Sequence, residues 1–205
     1  VRDATTIYGF QANAVFPDGV TGNAYNGDLT AGMTVSSTGG VSTAFLNGNV
    51  YLMSERSNRD YVPIHGTAAI SFDFPNDVFS ANFQMYVSIG NGMVVGTGAN
   101  YLAGEADILI TPDTWHFFVG EPQTPIGLTF RGFIKGDFYF MVGKDLPPPI
   151  PPPDEVASIV PASFWTRPDF SNADGLAFGA RVSISDTAKF FLFKLYMGAD
   201  IGFDI

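Results

Sequence analysis

The chain has 205 residues, enough for one sizeable domain or two small ones. With 46% hydrophobic residues, 15% charged residues and no cysteine, the composition excludes a disordered chain, a disulfide scaffold, a thiolate metal site and a cysteine nucleophile. Ten basic and 20 acidic residues give a net charge of −10, which disfavours nonspecific binding to nucleic acid or to an anionic membrane surface. We therefore expect no nucleic acid partner.

Alternation of apolar and polar residues with period two dominates the sequence and predicts half-buried β-strands. In chain order, the clearest of these strands cover Tyr8–Phe16, Ile64–Phe74, Phe79–Ile89, Leu176–Ile184 and Phe191–Ile205. Turn signals rich in Gly, Asn and Asp separate the alternating runs. They are Pro17–Gly19, Asn26–Asp28, Gly39–Gly40, Pro75–Asp77, Gly90–Gly92, Gly136–Asp137 and Asn172–Gly175. The pattern predicts an all-β fold, an antiparallel meander that forms a sandwich or an open barrel.

The run Leu146–Pro153 divides the chain, because prolines lack the N–H donors that a sheet strand needs. We expect residues 1–145 to form an antiparallel β region and 146–163 a proline-rich connector. The connector is interpreted as a stiff spacer, with a groove ligand for a partner as the alternative. At most one short helix is expected, over Asp154–Val160, where Asp154 can cap the first turn. Residues 164–205 then supply strands that complete a sheet with the first region or with further chain.

Glu105 and Asp107 lie two residues apart, a spacing similar to the strand motif of laminarinase-type glycoside hydrolases. A retaining mechanism needs two carboxylates about 5 Å apart, one as nucleophile and one as acid. Ile110 and Thr111 stand where the second catalytic Glu would follow. We therefore interpret the pair as solvent-facing strand residues, and no catalytic residue and no enzymatic activity are expected.

The two histidines, His65 and His116, lie far apart in the sequence, and neither has a carboxylate cluster beside it. Five aspartates are candidates for Ca²⁺ sites, but they lack the regular spacing of a calcium loop, and we interpret them as turn residues. They are Asp73, Asp77, Asp113, Asp200 and Asp204. No metal site and no cofactor are expected.

Aromatic residues offer an alternative function, because flat rings suit the apolar faces of pyranose sugars. Trp165 and Trp115 are the candidate ligand-binding residues of such a carbohydrate-binding module. Trp115 alternates with Phe117 and Val119, which favours packing, so Trp165 is the better exposed candidate. Alternation with aromatic residues is also typical of outer-membrane strands, although the proline-rich run and the few strands of sufficient length do not make a closed barrel by themselves.

Several segments between residues 80 and 205 resemble a pattern in large, β-rich envelope or surface proteins of Bacteroidota bacteria. The segments are Thr111–Pro122, Pro125–Ile126, Phe138–Lys144 and Gly202–Asp204. The resemblance implies an extracytoplasmic location, at the bacterial outer membrane or the cell surface, and a chain longer than 205 residues. It implies no functional residues.

The sequence as a whole predicts a non-catalytic structural or interaction segment of a larger envelope or extracellular β-assembly. The alternation that begins at Phe191 still runs at Ile205, so we expect this strand edge to be completed by protein. The expected partners are protein subunits or further segments of the same polypeptide, and a glycan under the alternative function.

Overall fold

The structure, a computed structural model, describes residues 6–17, 24–37, 39–54, 62–151, 157–159, 161, 174–184 and 195–204. Twelve strands form one antiparallel sheet, which confirms the predicted all-β antiparallel fold. The strands are β1 (Thr6–Pro17), β2 (Tyr25–Ser36), β3 (Val41–Leu52), β4 (Ile64–Asp73), β5 (Val78–Ile89), β6 (Val94–Gly96), β7 (Leu102–Ile110), β8 (Trp115–Val119), β9 (Ile126–Phe130), β10 (Ile134–Lys144), β11 (Asp174–Ile184) and β12 (Leu195–Asp204). No helix in these ranges is both long and apolar enough to cross a membrane.

The sheet is a meander that branches once. Strands β1 to β5 lie side by side in chain order, and so do β10 to β12. Between β5 and β10, two shorter strand pairs share the space: β7 and β8 fill one part of its length, and β6 and β9 fill the other. The strands that follow the proline-rich connector extend the same sheet, because β11 pairs with β10 along its whole length.

Two predicted turns are wrong, because both segments lie inside strands. Asn26–Asp28 belongs to β2, where Gly27 leaves room for the ring of Phe16: a Cβ there would lie 2.3 Å from its Cζ atom. Gly136–Asp137 belongs to β10, where Asp137 is buried in an ion pair with Arg181. Glycine and aspartate thus serve cross-strand packing at these positions instead of chain reversal.

The predicted short helix over Asp154–Val160 lies largely outside the described residues. A 3₁₀ turn over Ala99–Tyr101, which the sequence did not indicate, joins β6 to β7. The proline-rich connector carries no strand over residues 146–151, in agreement with its lack of N–H donors.

One face of the sheet is apolar across all the strands, because directly paired residues of neighbouring strands point to the same side. This apolar face carries only Gly, Ala and large hydrophobic side chains between the strand ends, among them Phe10, Phe16, Leu29, Met33, Leu46, Val50, Ile70, Phe72, Phe83, Met85, Ile108, Phe117, Leu128, Phe130, Phe138, Phe140, Phe178, Val182, Met197, Ile201 and Phe203. Its charged residues on the described strands are Lys144 and Asp174, which pair at the ends of β10 and β11. Many of the large side chains are exposed; Phe10, for example, is 60% exposed.

The opposite face, here called the polar face, carries hydrogen-bonding side chains that bond to one another across the strands. Thr30 donates to Asn13 Oδ1 over 2.9 Å, and Asn49 Nδ2 donates to Asp28 Oδ1 over 2.6 Å. Its principal polar members are Gln11, Asn13, Asp28, Thr30, Asn49, His65, Thr67, Ser80, Asn82, Gln84, Glu105, Asp107, His116, Lys135, Asp137 and Arg181.

A small hydrophobic core lies on the polar face over β8, β10 and β11. It consists of Phe118, Tyr139, Met141, Leu146 and Ala177, so the first residue of the proline-rich connector covers this part of the sheet. Beside this core, Arg181 Nε lies 2.6 Å from Asp137 Oδ1, and the same guanidinium donates to the carbonyl of buried Pro122 over 3.2 Å. The ion pair therefore fastens the loop between β8 and β9 to the sheet.

We predict that Met141→Ala lowers the free energy of unfolding by about 2–5 kcal/mol, because Met141 is fully buried and its truncation leaves a cavity. The control Met141→Leu keeps the volume and should cost less than about 1.5 kcal/mol. Urea unfolding of both variants measures the difference. Equal and small losses for the two variants would show that the cluster does not stabilise the fold.

Candidate functional site

The densest group of polar side chains lies where the sheet branches, on β5, β7 and β8. Glu105 and Asp107 project from β7 onto the polar face, while Ala106 lies on the apolar face between them. Glu105 accepts hydrogen bonds from Asn82 Nδ2 and, over 3.1 Å, from Gln84 Nε2. Both oxygens of this carboxylate are therefore held by amides of the neighbouring strand.

Asp107 is engaged by the histidine of the next strand. Asp107 Oδ2 lies 2.7 Å from His116 Nε2. Because a carboxylate only accepts hydrogen bonds, this distance requires a proton on Nε2. The imidazole also stacks on the ring of Phe118, with 4.2 Å between the ring centroids. His116 is thus oriented from two sides.

The Asp107–His116 pair is a contact that the sequence reasoning missed. A four-residue turn over Thr111–Thr114 joins β7 to β8, and the Thr111 amide donates to the Thr114 carbonyl over 2.8 Å. This turn sets Leu109 opposite His116, which brings the histidine diagonally beside Asp107. The signal in the sequence was the short turn around Pro112 and Asp113, because its length fixes the register of the hairpin.

A cavity of about 360 Å³ adjoins this network on the polar face. Glu105, Asp107, Glu121 and Lys135 supply its charged lining. Lys135 Nζ lies 3.3 Å from Asp137 Oδ2, so its charge is shared with the buried ion pair. The cavity is at the lower end of the size of small-molecule sites.

A second cluster consists of three aromatic rings from consecutive strands. Tyr51, His65 and Tyr86 are paired in register on β3, β4 and β5, and their rings stack with centroid distances of 4.7 and 5.3 Å. Tyr86 also donates to Gln84 Oε1 over 2.7 Å, which links the stack to the carboxylate network. Because the rings stack on one another, the faces of the central His65 ring are taken up within the cluster.

Trp115, one of the two candidate ligand-binding residues, does not line the cavity beside Glu105. Trp115 begins β8 on the apolar face, on the opposite side of the sheet from the network of Glu105 and Asp107. Trp165 lies outside the described residues. The carbohydrate-binding interpretation stays a prediction.

The hydrogen bonds of this network hold the side chains of Glu105, Asp107 and His116 in fixed orientations. Glu105 and Asp107 project from alternate positions of β7, and each is hydrogen-bonded to a side chain of a neighbouring strand. In the contacts described above, neither carboxylate bonds to a hydroxyl group that could act as a nucleophile. Within the described ranges, no three His, Asp or Glu side chains come together in a way that would hold a metal ion. Asp73 accepts a hydrogen bond from Asn76 Nδ2 over 2.8 Å and so acts in the turn after β4.

No protein-family model, no curated protein and no solved structure matches this chain.

We predict that Glu105→Gln lowers the free energy of unfolding by about 1–3 kcal/mol, because an amide donor would then face the donors of Asn82 and Gln84. Glu121→Gln is the matched control, since Glu121 lines the same cavity and its carboxylate bonds to none of the described residues. Urea unfolding compares the two variants. If both proved neutral, the Glu105 network would not contribute to stability.

Proposed function

We propose that the chain is a non-catalytic structural segment of a bacterial envelope assembly, located at the outer membrane. Its apolar face lies against the hydrocarbon of the membrane, and its polar face lies toward water. The observation that carries the proposal is the uninterrupted apolar face, in which the register aligns hydrophobic residues across ten strand positions.

The area of the apolar face indicates that another molecule covers the whole face. Ten strand positions at about 4.8 Å, with strands of about 34 Å, give an area of about 1,600 Å². A monomer in water rarely exposes a contiguous apolar patch beyond roughly 300–600 Å². Tyr8, Phe10 and Met197 are each more than half exposed on this face. The face therefore needs a cover.

The chemistry of the face favours lipid as the cover. A protein interface combines an apolar centre with a polar rim and about one hydrogen bond per 100–200 Å². On the apolar face, the charged residues of the described strands are confined to Lys144 and Asp174 at the strand ends. A hydrocarbon solvent offers no hydrogen bonds and matches such a surface.

The strand lengths support the same proposal. β1, β2, β3 and β5 each have 12 residues, and β4 has 10. Strands of this length are about 34–41 Å long and, when tilted by 45°, span about 24–29 Å, close to the thickness of a membrane's hydrocarbon core. Nine of the twelve strands on the described residues have 9 to 12 residues, which is more than the five long strands that the alternation predicted.

The partners follow from the strand order. β1 and β12 lie at the two ends of the sheet. Because hydrocarbon satisfies no backbone hydrogen bonds, we propose that their outer edges pair with protein strands, from the same polypeptide or from another subunit. The absence of catalysis is part of the proposal, since Glu105 and Asp107 are already bonded within the sheet.

We predict that a charge impairs insertion on one face of β2 and not on the other. Ala31→Arg places a charge on the apolar face and should weaken insertion into lipid vesicles by about 2–4 kcal/mol near the membrane midplane. Thr30→Arg, the neighbouring position on the polar face, should insert almost normally. Flotation of both variants with vesicles measures insertion. Equal insertion of the two variants would contradict the proposal.

Trp115 gives an independent spectroscopic prediction. In a Trp165→Phe background, Trp115 is the remaining tryptophan and lies on the apolar face. We expect phospholipids with brominated acyl chains to quench its fluorescence, because the bromines and the indole would lie in the same layer. Aqueous iodide should quench it weakly. Strong quenching by iodide together with no quenching by the brominated lipids would contradict the proposed orientation.

A further inference from the structure

The apolar face is not uniformly smooth, and a groove of about 310 Å³ crosses it at β9 and β10. Its walls are the side chains of Leu128, Phe130, Ile134 and Phe138, each between 36% and 48% exposed. Gly136 forms the floor. The space above it is open, because a Cβ at this position would have no atom within 4 Å. The groove is therefore open toward whatever covers the apolar face.

A cation lies at one end of this groove. Arg131 occupies the tight turn between β9 and β10, and its guanidinium carbon lies 5.8 Å from the centre of the Phe130 ring, one wall of the groove. The turn is held by the Arg131 amide, which donates to the Met93 carbonyl over 2.7 Å. Arg131 is exposed and forms no ion pair with a carboxylate of the described residues.

We propose that this groove binds one acyl chain of an anionic phospholipid, and that Arg131 pairs with the phosphate of the same lipid. The inference rests on the proposed function, which brings the apolar face against membrane lipid. It goes further, because it assigns a particular lipid to a particular site.

The dimensions support a single chain. From Ile134 to Phe138 the groove follows five residues of β10, about 14–17 Å. One leaflet contributes about half of the roughly 30 Å hydrocarbon core, so the groove matches the length of one acyl chain. Arg131 then lies at the end of the strand, at the depth where lipid phosphates lie.

The charge distribution supports an anionic headgroup. A guanidinium presents several donors in a plane, and it binds phosphate oxygens in pairs. Lys135, the nearest other cation in the sequence, lies on the polar face beside Asp137 and does not compete for this role. The net charge of −10 does not oppose the contact, because charges further away than about 8 Å are largely screened at physiological salt.

The test uses the full chain in nanodiscs that contain equal amounts of phosphatidylcholine and phosphatidylglycerol. Native mass spectrometry then counts the lipids that remain bound after the nanodisc is removed. We expect one phosphatidylglycerol to be retained in preference to phosphatidylcholine. Arg131→Gln should reduce this preference about fivefold, as expected for one basic residue at an anionic surface. Gly136→Leu should remove the retained lipid of either kind, because its side chain fills the floor of the groove.

Two variants control for charge and for bulk. Lys144→Gln removes a cation whose ammonium donates to the Asp113 carbonyl, away from the groove, and Ala12→Leu adds a similar bulk, one carbon less than Gly136→Leu, to the apolar face on β1. Both should retain phosphatidylglycerol like the unchanged chain. Circular dichroism of every variant establishes that the strands are intact.

The outcomes separate the two proposals. If the protein enters the nanodiscs and Trp115 is quenched by brominated lipid, but both lipids are retained equally, the lipid site is wrong and the proposed orientation stands. The lipid site is equally wrong if the control variants lose the lipid as Arg131→Gln does. If the chain does not enter the nanodiscs, the proposed function is wrong, and the lipid site is wrong with it.

Discussion

The register of the strand pairs is the constraint on which the rest of this structure depends. Directly paired residues share a face, so ten strand positions in register give two continuous faces of opposite chemistry. A slip of one residue in β5 would move Asn82 and Gln84 to the apolar side and leave Glu105 without its donors. Each buried polar group left without a partner lowers the stability of the fold by about 1–3 kcal/mol. The polar network and the apolar face therefore both favour the same register.

The branch between β5 and β10 produces both of the cavities described above. The two strand pairs approach each other closely at Gly104, where a Cβ would lie 2.3 Å from the Cδ1 atom of Ile126. This contact closes the branch, and the space left beside it opens on the polar face near Glu105. On the apolar face, the groove over Gly136 lies on β9 and β10, at the other side of the same branch. One departure from a simple meander therefore supplies a polar cavity and an apolar groove.

The sequence was sufficient for the long alternating strands β1, β4, β5, β11 and β12, because alternation with period two is a local signal. It predicted β5 over Phe79–Ile89 almost to the residue. It was insufficient where glycine and aspartate serve packing, as at Gly27 and Asp137, because the same residue types mark turns. The local sequence pattern also could not predict the pairing of β6 with β9, because the partner of such a short strand is decided by the strands around it. The Asp107–His116 contact depended on a hairpin register that the alternation alone does not give.

The ion pair of Asp137 and Arg181 links the loop between β8 and β9 to the unfolding of the sheet. Arg181 also bonds to the Pro122 carbonyl, and the Gly120 amide donates to the Glu105 carbonyl over 2.7 Å. If the loop between β8 and β9 lifted away, these bonds would break and bring water to a buried charge, which is costly. The loop is therefore coupled to β10 and β11, and the hydrogen-bonded Gly120 amide should exchange with solvent slowly. A segment that looks like a surface connection behaves, energetically, as part of the sheet.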